Sequence, residues 1–576
     1  MNQKLENILN VSLDATEDEL RKADSLSTGY NWRDNTWEII VKYSGSLESI
    51  RNRYNVYIKE LLNYYAIIVA DKATIELISQ EDVIDYVEKP KSLYYQIERT
   101  KTAACVGSVR ADGNILSGKG VIVGVIDTGI DIFDNAFRNS DGTTRILNIY
   151  DQTTGEKYDK QSIDEYIRLN EDLSGGTFSY DNAPGVDNIM HGTDVSYIAA
   201  GSLGVAYEAD IIAVKMGYSI NNQFPRTTSL MDAIDYIIRK AIEYRKPVAV
   251  NISYGCNYGA HNGNTLLESF IDDISKSYRC VICVGSGNEA DKAIHFGGII
   301  NTGQVQTAYL SVGEYQSAID IQIWKNYWDT IDVMLINPRG EQIGIITEGR
   351  INRYETYNTE IITLLGEPSP YNIYQEIYIN LIPKTDYILS GIWQIVLMAG
   401  SIRAGEYNIW LPSSQALGYA TAFNNPTADG TITIPATARN CIAVGAYNAY
   451  TNSYAAFSGR GFDNSIRNVN AEVKPDITAP GVDISIARQR GNDITYRNVT
   501  GTSYAVPVVT GAAALLMQWG IVMGNDRFMY GEKLKAALID GSKPVGLVGI
   551  TRNDNQPDPR TGWGAVCLKN TLNKIL

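Results

Sequence analysis

The chain has 576 residues, enough for two to four domains and a large core. Its 50 Lys and Arg against 65 Asp and Glu leave a net charge of −15, which argues against nucleic acid or an anionic membrane as the main partner. The start, "MNQKLENILNVSLDATEDELRKAD", lacks a basic region followed by an apolar one, and no run approaches roughly 18 uninterrupted apolar residues. Neither a signal peptide nor a membrane span is expected, and synthesis is expected in the cytoplasm.

Residues 36–90 carry the order β-α-β-β-α-β: "TWEIIVKYSG", "SLESIRNRY", the two strands of "VYIKELLNYYAIIVAD", "KATIELISQ" and "VIDYVEKP". That order predicts a small two-layer, ferredoxin-like α+β module. The next stretch, "KSLYYQIERTKTAACVGSVRADG", has no regular period and reads as a linker. From residue 119, buried strands alternate with helices: "GVIVGVIDTG", "DIIAVKMGYS", "PVAVNISYG", "CVICVGSGNE" and "CIAVGAYN", with "SLMDAIDYIIRKAIEY" among the helices. The expectation is an α/β, doubly wound, mostly parallel sheet with its working residues at the C-terminal strand ends.

Between 299 and 412 the helical pattern gives way to alternating strands such as "AIDIQIWKN", "TIDVMLINPRGEQIGIIT", "IYQEIYINLIP" and "GIWQIVLMAG". "NPRGEQ" is a hairpin signal, and the stretch predicts an inserted all-β, jelly-roll-like domain. The expected divisions are 1–96, 97–298, 299–412 and 413–576.

Near the C-terminus, "NVTGTSYAVPVVTGAAALL" sets Ser503 at the mouth of an apolar helix. Pro507 has no N–H and is best tolerated in a first turn, so a helix from near Ser503 to about Trp519 is expected. Gly511, Ala512, Ala513 and Ala514 permit close neighbours and place that helix centrally. Its first-turn amides favour a developing anion. Alone, the serine reads as an N-cap.

Only three histidines occur. His191 opens "MHGTDVSYIAAG", another helix start, whereas His261 and His295 are expected at the surface. Asp127 ends the strand "VIVGVIDTG", where a carboxylate can hold an imidazole's tautomer or simply close a turn. Asn288, in "VGSGNE", is a candidate oxyanion donor together with the Ser503 N–H, though loops take Asn freely. Six cysteines are scattered along the chain; Cys280 and Cys283 form a C-x-x-C with no second ligand pair and read as buried thiols. No metal or cofactor is expected, and no calcium site can be read.

"DTG", "HGT", "NISYG", "GNE", "KPDITAPG" and "GTSYAVPVVTGAAAL" stand in one order across residues 121–516, and that order resembles the subtilisin-like serine proteases. The resemblance implies an Asp127, His191, Ser503 triad and an oxyanion hole containing Asn288. It implies Ser253, Tyr254 and Gly255 along one wall of the primary specificity pocket, and Gly285, Ser286 and Gly287 along the other. The N-terminal module resembles the family's propeptide, a chaperone and inhibitor whose tail lies in the cleft. With the β insert, the chain is most similar to the clostridial germination-specific, Csp-type proteases. That implies a polypeptide substrate, the pro-form of a spore-cortex hydrolase, and a spore-associated location.

Self-cleavage is expected after Gln96, giving a new N-terminus at Ile97. Pro90 stops the module's pairing, and six extended residues at about 3.3 Å each span roughly 20 Å, enough to add a strand to a cleft. Leu93 then falls three residues upstream of the bond; cleavage after Tyr95 is the near alternative. A second reading of the whole chain is a catalytically silent pseudoprotease acting as a scaffold or germinant-sensing partner. The insert either binds a glycan or protein or packs against the catalytic domain. Three positions depart from the family pattern. Asp194 stands for a second histidine and is expected within reach of the His191 imidazolium. Tyr197 stands where a glycine allows close packing, and Tyr504 replaces a methionine.

Overall fold

The computed structural model describes residues 4–17, 20, 27, 29–61, 64–90, 103–107, 110–111, 114–171, 183–219, 222–346, 351–368, 372–462, 473–490, 493–546 and 557–576. The chain divides into two compact units, Met1–Tyr95 and Gln96–Leu576. The expected cleavage site at Gln96 and Ile97 lies outside the described residues.

In the first unit the strand Thr36–Tyr43 alternates, turning Trp37, Ile39, Val41 and Tyr43 inward. It pairs antiparallel with Tyr65–Ala70 on one side and Ile84–Glu88 on the other, and Tyr57–Leu61 lies beyond Tyr65–Ala70. Helices Glu48–Tyr54 and Lys72–Ile78 cover the sheet with Ile50, Ile75 and Ile78, and the Asp71 carboxylate caps the second helix at Thr74 N. The β-α-β-β-α-β reading holds. An additional helix, Asn7–Asp14, buries Leu9 and Leu13 in the same core.

The second unit is built on a nine-stranded sheet. Seven strands are parallel, in the spatial order Ile146–Asp151, Asp210–Lys215, Ile122–Asp127, Val248–Ile252, Cys280–Gly285, Ile442–Asn448, Ile477–Pro480. Alternate residues of one strand serve two cores, as a doubly wound sheet requires. Val123 and Val125 pack with the helices His191–Ala200 and Thr502–Met517. Ile122 and Ile126 pack with Thr227–Tyr244 and Leu266–Ser277 on the other face. After Ile122–Asp127 the chain lays Ile146–Asp151 two places to one side and Asp210–Lys215 between them, then crosses over and adds strands on the other side from Val248–Ile252. The crevice at that switch point is where the C-terminal strand ends converge.

Thr502–Val522 is long and apolar enough to cross a membrane, but 83% of its most apolar window is buried inside the fold, as befits a central core helix. Among the cysteines, Cys256, Cys280, Cys283 and Cys441 are free, and burial pushes the Cys280, Cys283 and Cys441 thiols up to about 12. Cys105 and Cys567 are not thiols. They form a disulfide across 462 positions, where Leu568 N also donates to Ala104 O.

The all-β region is a two-sheet antiparallel sandwich around its own core. It starts with His295–Ile299 and closes with Ala422–Phe423. The pairing is nested: Val305–Val312 lies against Gly391–Ala399, and Ile319–Asn326 against Tyr374–Pro383. Local hairpins fill the middle; at "NPRGEQ" the Asn337 side chain accepts from Arg339 N and Glu341 N and closes the turn.

Candidate active site

Asp127 is the last residue of its strand and is fully buried. Its Oδ1 lies 2.6 Å from His191 Nδ1 and accepts from Thr128 N at 2.8 Å. His191 opens its helix next to Met190, which has φ +68°. The approach is close because residue 192 is glycine: a Cβ there would stand 2.3 Å from Gly129 O and 2.9 Å from Asp127 Cβ. Burial pulls the imidazole pKa down, but the Asp127 charge and hydrogen bond, with Asp187 behind them, raise it above the ordinary value; Arg497 opposes them.

Ser503 is the second residue of Thr502–Met517. The next side chain, Tyr504, is buried with its ring 5.3 Å from that of His191, so the two helix mouths meet. Pro507 sits in the second turn, not the first. With no N–H at that position, the Ser503 carbonyl loses its normal intrahelical donor. Ser253 Oγ donates to it instead at 3.3 Å, and Asn251 Nδ2 donates to Ser253 Oγ at 3.0 Å. Thr510, one turn further along, donates to Asn251 Oδ1 and fixes that amide.

Asn288 follows the strand Cys280–Gly285. Its Oδ1 accepts from Thr502 N at 3.0 Å and Thr502 Oγ1 at 3.1 Å, which assigns the carboxamide and leaves Nδ2 as a donor. Ser253, Tyr254 and Gly255 continue the strand Val248–Ile252, and Gly285, Ser286 and Gly287 end the neighbouring one. The two segments are bridged by Thr433. Its N donates to Ser286 O at 3.0 Å, and Ile434 exchanges backbone bonds with Cys256. A Cβ on Gly255 would meet Thr433 Oγ1 at 2.4 Å, and one on Gly287 would meet Thr433 Cγ2 at 2.5 Å. Thr433 thus fills the space between the two segments, the place of a floor for the pocket whose walls the resemblance assigns to them.

Two expectations are corrected here. Asp194 does not serve His191: it is fully buried, accepts from Arg488 Nε at 3.0 Å and pairs with Arg497. Both arginines come from the hairpin Ile484–Arg490 and Asp493–Val499, and both also donate to Met190 O. A buried carboxylate takes the strongest cations available, and guanidinium forks outcompete a partly neutral imidazole. His261 and His295 are not surface residues; they are 6% and 1% exposed and lie on the faces of Trp410 at ring separations of 4.1 and 4.9 Å. Tyr197, the bulky substitute for glycine, is buried in the main core.

Residues 118–368 and 404–564 match the Subtilase family. The chain belongs to the subtilase family of subtilisin-like serine proteases. Residues 3–91 match the Csp protease B prodomain. The solved structure of the Clostridium perfringens CspB protease is similar at 34% identity and a TM-score of 0.75, covering 83% of this subtilase and 97% of that chain. Subtilase-type proteinase RRT12 of Saccharomyces cerevisiae is 34% identical over 128 residues, 22% of this chain and 23% of that protein. Subtilisin-like protease 10 of Arthroderma otae is 33% identical over 120 residues, 21% and 27% of the two. The matched segments thus span about a quarter of these two curated relatives.

Thr502, Thr433, Asp187 and the two arginines were missed by sequence reasoning. Thr502 had a signal, a hydroxyl directly before Ser503 in "GTS". Thr433 and the arginines had none, since their roles depend on segments far away in the chain.

Proposed function

We propose that this subtilase is an active serine endopeptidase made as a self-cleaving proenzyme. His191 takes the Ser503 proton at Nε2 as Ser503 Oγ attacks the scissile carbonyl, and returns it to the leaving amine. Asp127 holds the Nδ1–H tautomer and stabilises the imidazolium. The developing oxyanion takes Asn288 Nδ2 and the Ser503 N–H, with the helix N-terminus adding partial positive charge. Water then resolves the acyl-enzyme by the same proton path. The single observation that carries this reading is the 2.6 Å Asp127–His191 contact beside a helix mouth where Thr502 orients Asn288. Cleavage after Gln96, with the first unit as propeptide, and action on the pro-form of a spore-cortex hydrolase in germination complete the proposal; the Csp prodomain match supports both.

Covalent labelling by a fluorophosphonate tests it. Wild type should react at Ser503 and hydrolyse peptides, and Ser503→Ala should do neither, a loss of several orders of magnitude in rate. A wild type that neither labels nor cuts is a pseudoprotease, and the proposal fails.

A further inference from the structure

The segment Gly430–Ile434, which carries Thr433, is held from the side of the inserted sandwich. Trp410 ends the sandwich strand Glu406–Trp410, is 1% exposed, and donates its indole N–H to Gly430 O at 2.9 Å. His261 stacks on the same indole at 4.1 Å and 16°, with Nδ1 2.6 Å from Ile432 O. Thus the main chain is tethered at Gly430 and Ile432, just before the pocket floor.

The walls are tied to the same edge. Asn257 Nδ2 donates to Leu411 O at 3.3 Å, and Gly259 N to Gln322 Oε1 at 2.8 Å, anchoring the loop after Gly255. On the oxyanion side, Glu289 accepts from Ser413 Oγ at 2.7 Å and Ser414 N at 3.2 Å.

From this we infer that Trp410, with His261 stacked on it, is the positioning element through which the inserted sandwich sets the primary pocket floor and hence its side-chain preference. The inference rests on the protease reading above. Thr433 stands between two glycine walls with its Oγ1 nearest Gly255 and its Cγ2 nearest Gly287, so a small shift of its backbone changes the depth open to a substrate side chain. Loosening either tether moves discrimination between side chains rather than the chemistry at Ser503.

The test uses the full chain and three peptides that differ only in the residue entering the pocket: Ala, Gln or Tyr. Trp410→Phe keeps an aromatic stack and removes the indole donor; His261→Leu removes the other tether and carries the test should the first not fold. Each should change the Tyr-to-Ala ratio of kcat/KM by at least about fivefold while Ser503 labelling by a small fluorophosphonate persists. Trp410→Phe added to Thr433→Gly should leave the ratio of Thr433→Gly unchanged, because the indole acts through Thr433. An equal loss on all three peptides, or an unchanged ratio, overturns the inference. Titration calorimetry of the same peptides with Ser503→Ala protein, with and without each tether, reads the ratio without hydrolysis. A wild type that does not cut therefore refutes the protease reading alone, and calorimetry still decides the positioning role.

Discussion

Lowering the pH should destabilise the protein through His295, by an amount the structure allows to be worked out. The ring packs against both Trp410 and Phe462, with Nδ1 3.1 Å from Thr427 O and Nε2 3.0 Å from Asn408 Oδ1. Burial holds its pKa down to about 4, against the pull of the Asn408 and Thr427 hydrogen bonds and with help from His261. Unfolded, the ring titrates near 6.5. The folded value is the lower one, so the unfolded chain takes up the proton first. This contribution is whole above pH 6.5 and is lost as the pH falls towards 4. A gap of about 2.5 units corresponds to about 3 kcal/mol over that window, and about 2 kcal/mol of it falls between pH 7 and pH 5.

Equilibrium urea unfolding of Ser503→Ala protein at both pH values, with and without His295→Gln, measures it. The substitution should lower stability at pH 7, yet the further loss on going to pH 5 should be about 2 kcal/mol smaller. Comparing the two losses cancels Asp134, whose buried carboxyl is pushed up to about 6 and acts with the opposite sign. Equal pH sensitivity in the two proteins would refute the reasoning.

Activity should rise with pH through a midpoint above the usual imidazole value of about 6.5, since His191 must be neutral to act as base and its pKa is raised. Arg497→Gln, which removes an opposing charge, should push that midpoint higher still; a downward shift in the kcat/KM profile counts against the assignment. Ser253→Ala strips the Ser503 carbonyl of its donor and should cost about 1 kcal/mol in urea unfolding; no change would mean that water replaces the hydroxyl. Intact-mass measurement should find an N-terminus at Ile97, within one or two residues, in wild type and a full-length chain in Ser503→Ala. An uncut wild type that hydrolyses peptides removes the self-processing model.

Local words in the sequence were enough for the elements and for where in them Asp127, His191, Asn288 and Ser503 lie. Each sits at a strand end or helix mouth whose periodicity is visible within ten residues. What escaped is long-range. Pro507 was placed one turn too early because a serine hydroxyl from 250 residues upstream, not a first-turn position, makes the proline tolerable. Helical spacing puts Asp194 within reach of His191, while its partner Arg488 lies almost 300 residues away. His261 and His295 read as surface residues because nothing near them in sequence shows that the strand Glu406–Trp410 brings Trp410 against both. The disulfide joins positions that no spacing rule connects.

That disulfide changes the topology of the molecule. Residues 105 to 567 form a covalently closed ring, and the sandwich is a bulge on its circumference. The expected cut after Gln96 lies outside the ring, so it severs the bond to the N-terminal unit and leaves the ring whole. A second nick anywhere inside, even at the Asn337–Glu341 turn, leaves two chains joined through the disulfide, which denaturation separates only under reducing conditions.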